Sequence, residues 1–309
     1  MTPINTTMNL RDWLLLLILS LLWGGSFFFI EVALQSFAPF TLVAVRVALA
    51  ALALWLVVSL TGLAVPKSAE VWLAFLIMGL LNNAVPFGLI VWGQTHIASG
   101  VASILNATTP LFAVVVAGFF LPDEQATPLK FAGVFIGLFG VALMIGLSSF
   151  GGDQHLLAQL AILGAACSYA VAGVYGRRFR RLGVSSIVTA AGQVTGSALI
   201  MLPLALFIDG AGVYVSASLT SWLALVSLAL VCTALAYVIY FRLLASAGAT
   251  NLLLVTLLVP ISAILLGWLF LNESLGWNHA LGIGCIAIGL SCIDGRLWRR
   301  RNAVGLQPR

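Results

Sequence analysis

Asn82-Asn83-Ala84-Val85-Pro86 and Asn106-Ala107-Thr108-Thr109-Pro110, the two ends of the stretch 82–110, decide how this chain is read. Both prolines fall inside apolar runs, where proline removes the helical hydrogen bond to the carbonyl four residues earlier. The carbonyls so freed are those of Asn82 and Asn106. In hydrocarbon such a group is tolerated only where protein or a watered cavity satisfies it. The pattern recurs at Thr256–Pro260. Each spot is expected either to be patched by its own polar neighbour or to border a path through the membrane.

The setting of these prolines is a chain of 309 residues, 62% hydrophobic and 7% charged. A soluble domain carries about 25% charged residues, so the composition implies an all-α polytopic membrane protein, long enough for about ten helices of ~20 residues. The net charge of +5 does not indicate nucleic-acid binding, because the basic residues are scattered among short loops and a tail. The four cysteines lie in apolar runs without metal-ligand spacing and read as packing residues. No disulfide framework, metal or cofactor is expected. The first apolar run, Trp13 to about Leu34, is too long for a cleaved signal peptide and is taken as the first membrane helix.

Apolar runs fall at 13–34, 40–60, 71–92, 98–120, 129–148, 156–176, 184–208, 221–244, 250–271 and 277–297. Turn-rich breaks separate them, among them Thr61-Gly62, Pro122-Asp123-Glu124, Gly151-Gly152-Asp153 and Asp209-Gly210-Ala211-Gly212. With a cytoplasmic N-terminus, 13 of the 14 Lys and Arg residues fall on the cytoplasmic side, and Arg46 alone lies within a helix. That bias places both termini in the cytoplasm. The densest cluster, Gly176-Arg177-Arg178-Phe179-Arg180-Arg181-Leu182-Gly183, reads as a topology anchor, with anionic lipid as the alternative partner.

Placing Asn82–Leu121 over Cys232–Leu271 aligns Ala84 with Ala234, Pro110 with Pro260 and Ala113 with Ala263. After a one-residue slip, Gly133 and Gly140 meet Gly282 and Gly289. Earlier in each half, Trp23 stands opposite Tyr169 and Arg46 opposite Gln193. Five helices per half is an odd number, so the second copy enters the membrane upside down. The predicted fold is therefore ten transmembrane helices in two inverted five-helix repeats, 1–148 and 149–309. Such repeats with a site near the midplane mark transporters. Pro86 faces Ala236 in this alignment, which predicts an asymmetric kink in helix 3.

The chain resembles the drug/metabolite transporter superfamily in its ten-helix EamA-type permease branch. The resemblance rests on Leu22-Trp23-Gly24-Gly25-Ser26-Phe27, Ala44-Val45-Arg46, Ala102-Ser103-Ile104-Leu105 with Pro110-Leu111, Asp123-Glu124, Ala249-Thr250, Pro260 and Asn272-Glu273. It implies export of small metabolites through a central cavity by alternating access, in a multi-pass protein of the bacterial inner membrane. Bacterial exporters of aromatic and other amino acids are the expected functional relatives. A broader drug or nucleotide-sugar-like carrier is the alternative.

A binding site needs polar groups near the bilayer centre. Counting about 1.5 Å per residue brings Trp23, Asn82, Asn83, Asn106, Tyr169, Gln193 and Thr256 to that level, with Tyr237 somewhat deeper. These are the candidate substrate-binding residues, with Pro86, Pro110 and Pro260 as kinks. Asn, Gln and Thr also serve as packing glue between helices. Trp23 and Tyr169 are expected as facing aromatic walls for a small, partly apolar ligand. No Asp, Glu or His falls at a midplane, which predicts facilitative or weakly coupled movement of neutral or zwitterionic solutes. Arg46 costs ~2.5–3.5 kcal/mol or more on insertion scales. It is expected to snorkel or to pair with Glu31, and otherwise to serve as an outer gate or to attract a substrate carboxylate. An intramembrane enzyme would need a metal motif or a midplane nucleophile pair, and a channel would need a filter sequence. The chain offers neither. The partners expected are a small-molecule substrate and lipid, with the chain a monomer or homodimer.

Overall fold

A computed structural model describes residues 9–120, 127–145, 154–210, 217–252, 254–274 and 276–294. The expected breaks at 122–124, 151–153 and 211–212, the boundary at 148/149 and the basic tail from Arg296 lie outside those residues. Among the described residues the protein is helical, without strands. Its helices are α1 (Leu10–Leu34), α2 (Pro39–Thr61), α3 (Ala69–Gly79), α4 (Val85–Gln94), α5 (Ser99–Asn106), α6 (Thr109–Phe120) and α7 (Pro128–Ile145). They continue with α8 (Gln154–Arg181), α9 (Ser186–Ile208), α10 (Leu219–Ala229), α11 (Ala236–Leu252), α12 (Val255–Leu271) and α13 (Trp277–Asp294). A π-helical turn, Leu80–Ala84, joins α3 to α4, and another, Leu230–Leu235, joins α10 to α11. Among the described residues, seven helical stretches are long and apolar enough to cross a membrane, and shorter apolar helices accompany them.

Local sequence explains the helix ends. Asn9 and Asp12 close a reciprocal capping box at the start of α1. Pro39 opens α2, and Gly62 ends it in the left-handed conformation at φ 65°. Ser185 and Ser218 cap α9 and α10 through their side-chain oxygens.

Helices pack where small residues allow close approach. In hydrocarbon the gain comes from van der Waals contact rather than from removing water. The main pairings are α1 with α12, α2 with α9, α3 with α9, α4 and α6 with α8, and α7 with α13. A Cβ on Gly79 would strike the Gln193 carbonyl, and one on Gly24 would strike Ser262 Oγ. The glycines aligned between the two halves, Gly133 and Gly140 with Gly282 and Gly289, pack against one another within the chain, between α7 and α13. A Cβ on Gly289 would lie 2.5 Å from the Gly133 carbonyl oxygen, and one on Gly140 would lie 2.8 Å from that of Gly282.

The proline positions differ from expectation in an instructive way. Both π turns occupy equivalent places, at the 150-residue offset that relates Pro110 to Pro260. The deformation of helix 3 is therefore matched in the second half although Pro86 is not. In a π turn bonds run to the fifth residue back, as Val85 N–H to Leu80 O does. The next carbonyl in that register, Leu81, faces Pro86, which has no N–H. Ser168 Oγ of α8 donates to it instead, at 2.6 Å. At the second proline the helix breaks at Ala107-Thr108, and Thr109 Oγ1 donates to the Asn106 carbonyl at 2.7 Å. That kink is patched by its own neighbour. Pro260 is carried inside a continuous α12.

Candidate functional site

The two π turns meet the opposite half of the chain in one buried polar cluster. On the first turn Asn83 is fully buried, and its Nδ2 donates to Tyr237 Oη at 2.9 Å. Asn82 Nδ2 reaches Tyr237 Oη at 3.3 Å and Gln193 Oε1 at 3.4 Å. On the second turn Thr233 Oγ1 donates to the Leu228 carbonyl at 2.8 Å and accepts from Arg46 Nε at 2.9 Å. Arg46 is 5% exposed, and its guanidinium carbon stands 3.8 Å from the centroid of the Phe87 ring. Tyr169, Cys232 and Tyr237 lie within its electrostatic reach.

Arg46 does not form the expected ion pair with Glu31. Its hydrogen bond runs inward to Thr233, because the side chain leaves α2 facing the second π turn and Phe87 rather than the helix end. Glu31 is half-buried near Gln94 and Glu273. Gln94 is itself buried and donates to the Phe27 carbonyl at 2.9 Å.

Trp23 joins the edge of the cluster through a tilted ring contact with Tyr240 at 5.6 Å. Asn106 ends α5 and Thr256 lies in the first turn of α12, both half-buried. The hydrogen bonds that define the cluster involve neither. Thr195 accepts from Trp55 Nε1 at 2.8 Å and joins α9 to α2.

At one end of the bundle, carboxylates reach across the chain to cap the starts of two helices. Both α2 and α5 begin after an alanine, Ala38 and Ala98, which supplies no side-chain cap. Asp209, at the end of α9, accepts from Thr41 N–H at 2.6 Å. Glu273 accepts from Ser99 N–H at 2.8 Å and from Ser99 Oγ and Gly100 N–H at 3.0 Å each. Its placement follows from local geometry. Asn272 adopts φ 54°, Glu273 N–H returns to the Gly267 carbonyl at 3.1 Å, and the side chain folds over Gly267. This capping was not foreseen, although two helices beginning without a cap of their own were visible in the sequence. At the opposite end a cavity of about 420 Å³ is lined by Leu63, Ser185, Val238, Phe241 and Arg242 among others. Phe241 stacks on Tyr237 at 6.3 Å, so the cavity ends one helical turn from the cluster.

Apolar helices around a buried polar cluster, with acidic caps on helix starts at one end, are compatible with a membrane transporter. The chain belongs to the EamA-like transporter family of the drug/metabolite transporter superfamily, whose profile matches residues 12–146 and again 156–293. An uncharacterized transporter of Archaeoglobus fulgidus is 30% identical, over 91% of this chain and 96% of its own length. The probable amino-acid metabolite efflux pump of Escherichia coli K12 is 27% identical, over 96% of this chain and all of its own. A solved crystal structure with 23% sequence identity shares the fold, with a TM-score of 0.67 over 96% of this chain and 99% of its own.

Proposed function

We propose that this transporter exports small neutral or zwitterionic metabolites, amino acids foremost, by alternating access between two inverted five-helix repeats spanning 1–148 and 149–309. The observation that carries the reading is the buried cluster in which Asn82 and Asn83 bond to Tyr237 and Gln193 of the second half. A buried polar atom is costly unless hydrogen-bonded, and in this cluster Asn83 Oδ1 has no partner among the described residues. The amino-acid class draws support from the efflux pump among the relatives. The repeat draws support from the two stretches matched by the family profile and from interchangeable packing. The pairing of α1 with α12 is answered by that of α8 with α5 and α6.

In this reading ten helices cross the membrane, and both termini face the cytoplasm with the Lys and Arg bias. The acidic caps then mark the outer face, and the cavity beside Phe241 opens inward. Helical spans suit a bacterial inner membrane, since the outer membrane holds β-barrels. The chain acts as a monomer or homodimer without a cofactor. The test is counterflow in proteoliposomes with a panel of amino acids and organic cations. Exchange of amino acids without an imposed pH gradient is expected, and a response to cations alone would overturn the reading.

A further inference from the structure

We propose that Arg46 anchors a carboxylate of the transported molecule and that Asn83 Oδ1 accepts from its ammonium group, so that the site selects α-amino acids as zwitterions. The inference rests on the export reading and adds the groups that choose the cargo.

A guanidinium is charged at every accessible pH, and buried charges are paired or hold a ligand. Arg46 is buried, yet among the described residues no carboxylate pairs with it. Its one hydrogen bond to protein uses Nε. Thr233 on that edge and Phe87 against the face fix the plane of the group. The two Nη groups make no hydrogen bond among the described residues, and they form the fork that fits a carboxylate with two parallel bonds. In the same cluster, Asn83 commits its Nδ2 to Tyr237 while its buried Oδ1 has no partner among the described residues. A positive fork and a bare amide oxygen on one cluster match the two ends of an α-amino acid.

The contacts of the two halves correspond while their chemistry does not. Arg46 donates to the π turn Leu230–Leu235, and Gln193, opposite it in the repeat, accepts from the π turn Leu80–Ala84. One side therefore presents a full positive charge and the other an amide. An amine without a carboxylate would bring a second cation to Arg46 and be repelled.

Purified full-length protein in nanodiscs is screened by thermal stabilisation against each of the common L-amino acids. For every binder the α-amide, the decarboxylated amine and the des-amino acid are then titrated, with counterflow run in parallel. The amide and amine are expected to bind about tenfold or more weaker than the amino acid. Arg46→Lys should weaken the amino acid about tenfold and Arg46→Gln further. Asn83→Leu should weaken the amino acid while sparing the des-amino acid. Equal binding of acid and amide by the wild-type protein overturns the proposal, and that measurement needs no variant to fold. Absence of any amino-acid binder overturns it too. Amino-acid exchange that survives both Arg46 variants overturns the anchor but leaves the export reading standing. Exchange of cations alone removes both.

Discussion

Glu273→Gln and Gly267→Ala should loosen the same closure by two independent routes. The Glu273 carboxylate accepts three hydrogen bonds from the start of α5, at 2.8, 3.0 and 3.0 Å. Bonds to charged groups contribute ~1.5–3 kcal/mol each, and a negative charge at a helix N-terminus adds ~0.3–1 kcal/mol. Glutamine keeps one acceptor oxygen, so the loss is about one such bond plus the charge term. Relief of repulsion between Glu273 and Glu31 offsets part of it. The net cost is ~2 kcal/mol, a shift of about 30-fold in the balance between closed and open at that end. Gly267→Ala acts sterically. The new Cβ would meet the Glu273 carboxylate and lie 3.2 Å from Ser99 Oγ. The flexible Glu273 side chain gives way before the backbone does, and its bonds to α5 go with it. The assay is a cysteine at Val101, buried in the first turn of α5, in a chain whose own cysteines are replaced. Its labelling by an impermeant maleimide added from outside is followed over time. Both variants should label about 10- to 30-fold faster than the parent at equal expression. Parental rates in both would show that Glu273 does not hold this end shut. A fast Glu273→Gln beside a slow Gly267→Ala would refute the steric step.

Gly289→Ala should destabilise the protein by ~1–3 kcal/mol, because its Cβ would press on the backbone of Gly133 and Gly137. Gly284→Ala, five residues earlier in α13 and with nothing within 4 Å of the added carbon, should be neutral or stabilising by up to ~1 kcal/mol. Melting in detergent, read by fluorescence-detected size exclusion, distinguishes the pair, and equal melting points would refute the α7–α13 packing. Tyr237→Phe and Asn83→Leu should each slow amino-acid counterflow. The double variant should lose less than the two effects combined, because both remove the same 2.9 Å bond. Full additivity would place the two residues in separate roles.

The helical character was legible because apolar runs and turn residues follow from the bilayer itself. Counting along helices brings Asn82, Asn83 and Gln193 to one level with Tyr237 somewhat deeper, and the four share one hydrogen-bonded cluster. The expected pair of Arg46 with Glu31 does not form because depth along α2 says nothing of direction, which packing against Phe87 decides. The π turns were illegible for a similar reason. Proline announces a missing donor, but Leu230–Leu235 bends without one. Cys232, set aside as a packing residue, lies within reach of the Arg46 charge. The capping role of Glu273 was not legible, since a cap supplied across the chain leaves no pattern beside the residue that supplies it.

The π turns also explain how a symmetric frame can hold an asymmetric site. Each turn widens a helix by one residue and leaves a carbonyl for a hydroxyl to satisfy. In the first half the hydroxyl is that of Ser168, from the opposite half, and the turn's own polar residues, Asn82 and Asn83, are left to face Gln193 and Tyr237. In the second half the hydroxyl is that of Thr233 on the turn itself, and its acceptor capacity holds Arg46. The same deformation thus presents neutral amides on one side and positions a cation on the other. A site with two alike faces would let a small zwitterion bind in either orientation. In the proposed export of a zwitterion, a charge on a single face would fix which end of the molecule meets which half. Proline two residues after one turn and alanine one residue after the other leave both turns in place, so the geometry comes from the turn, and in the proposed reading the selectivity comes from the side chains placed on it.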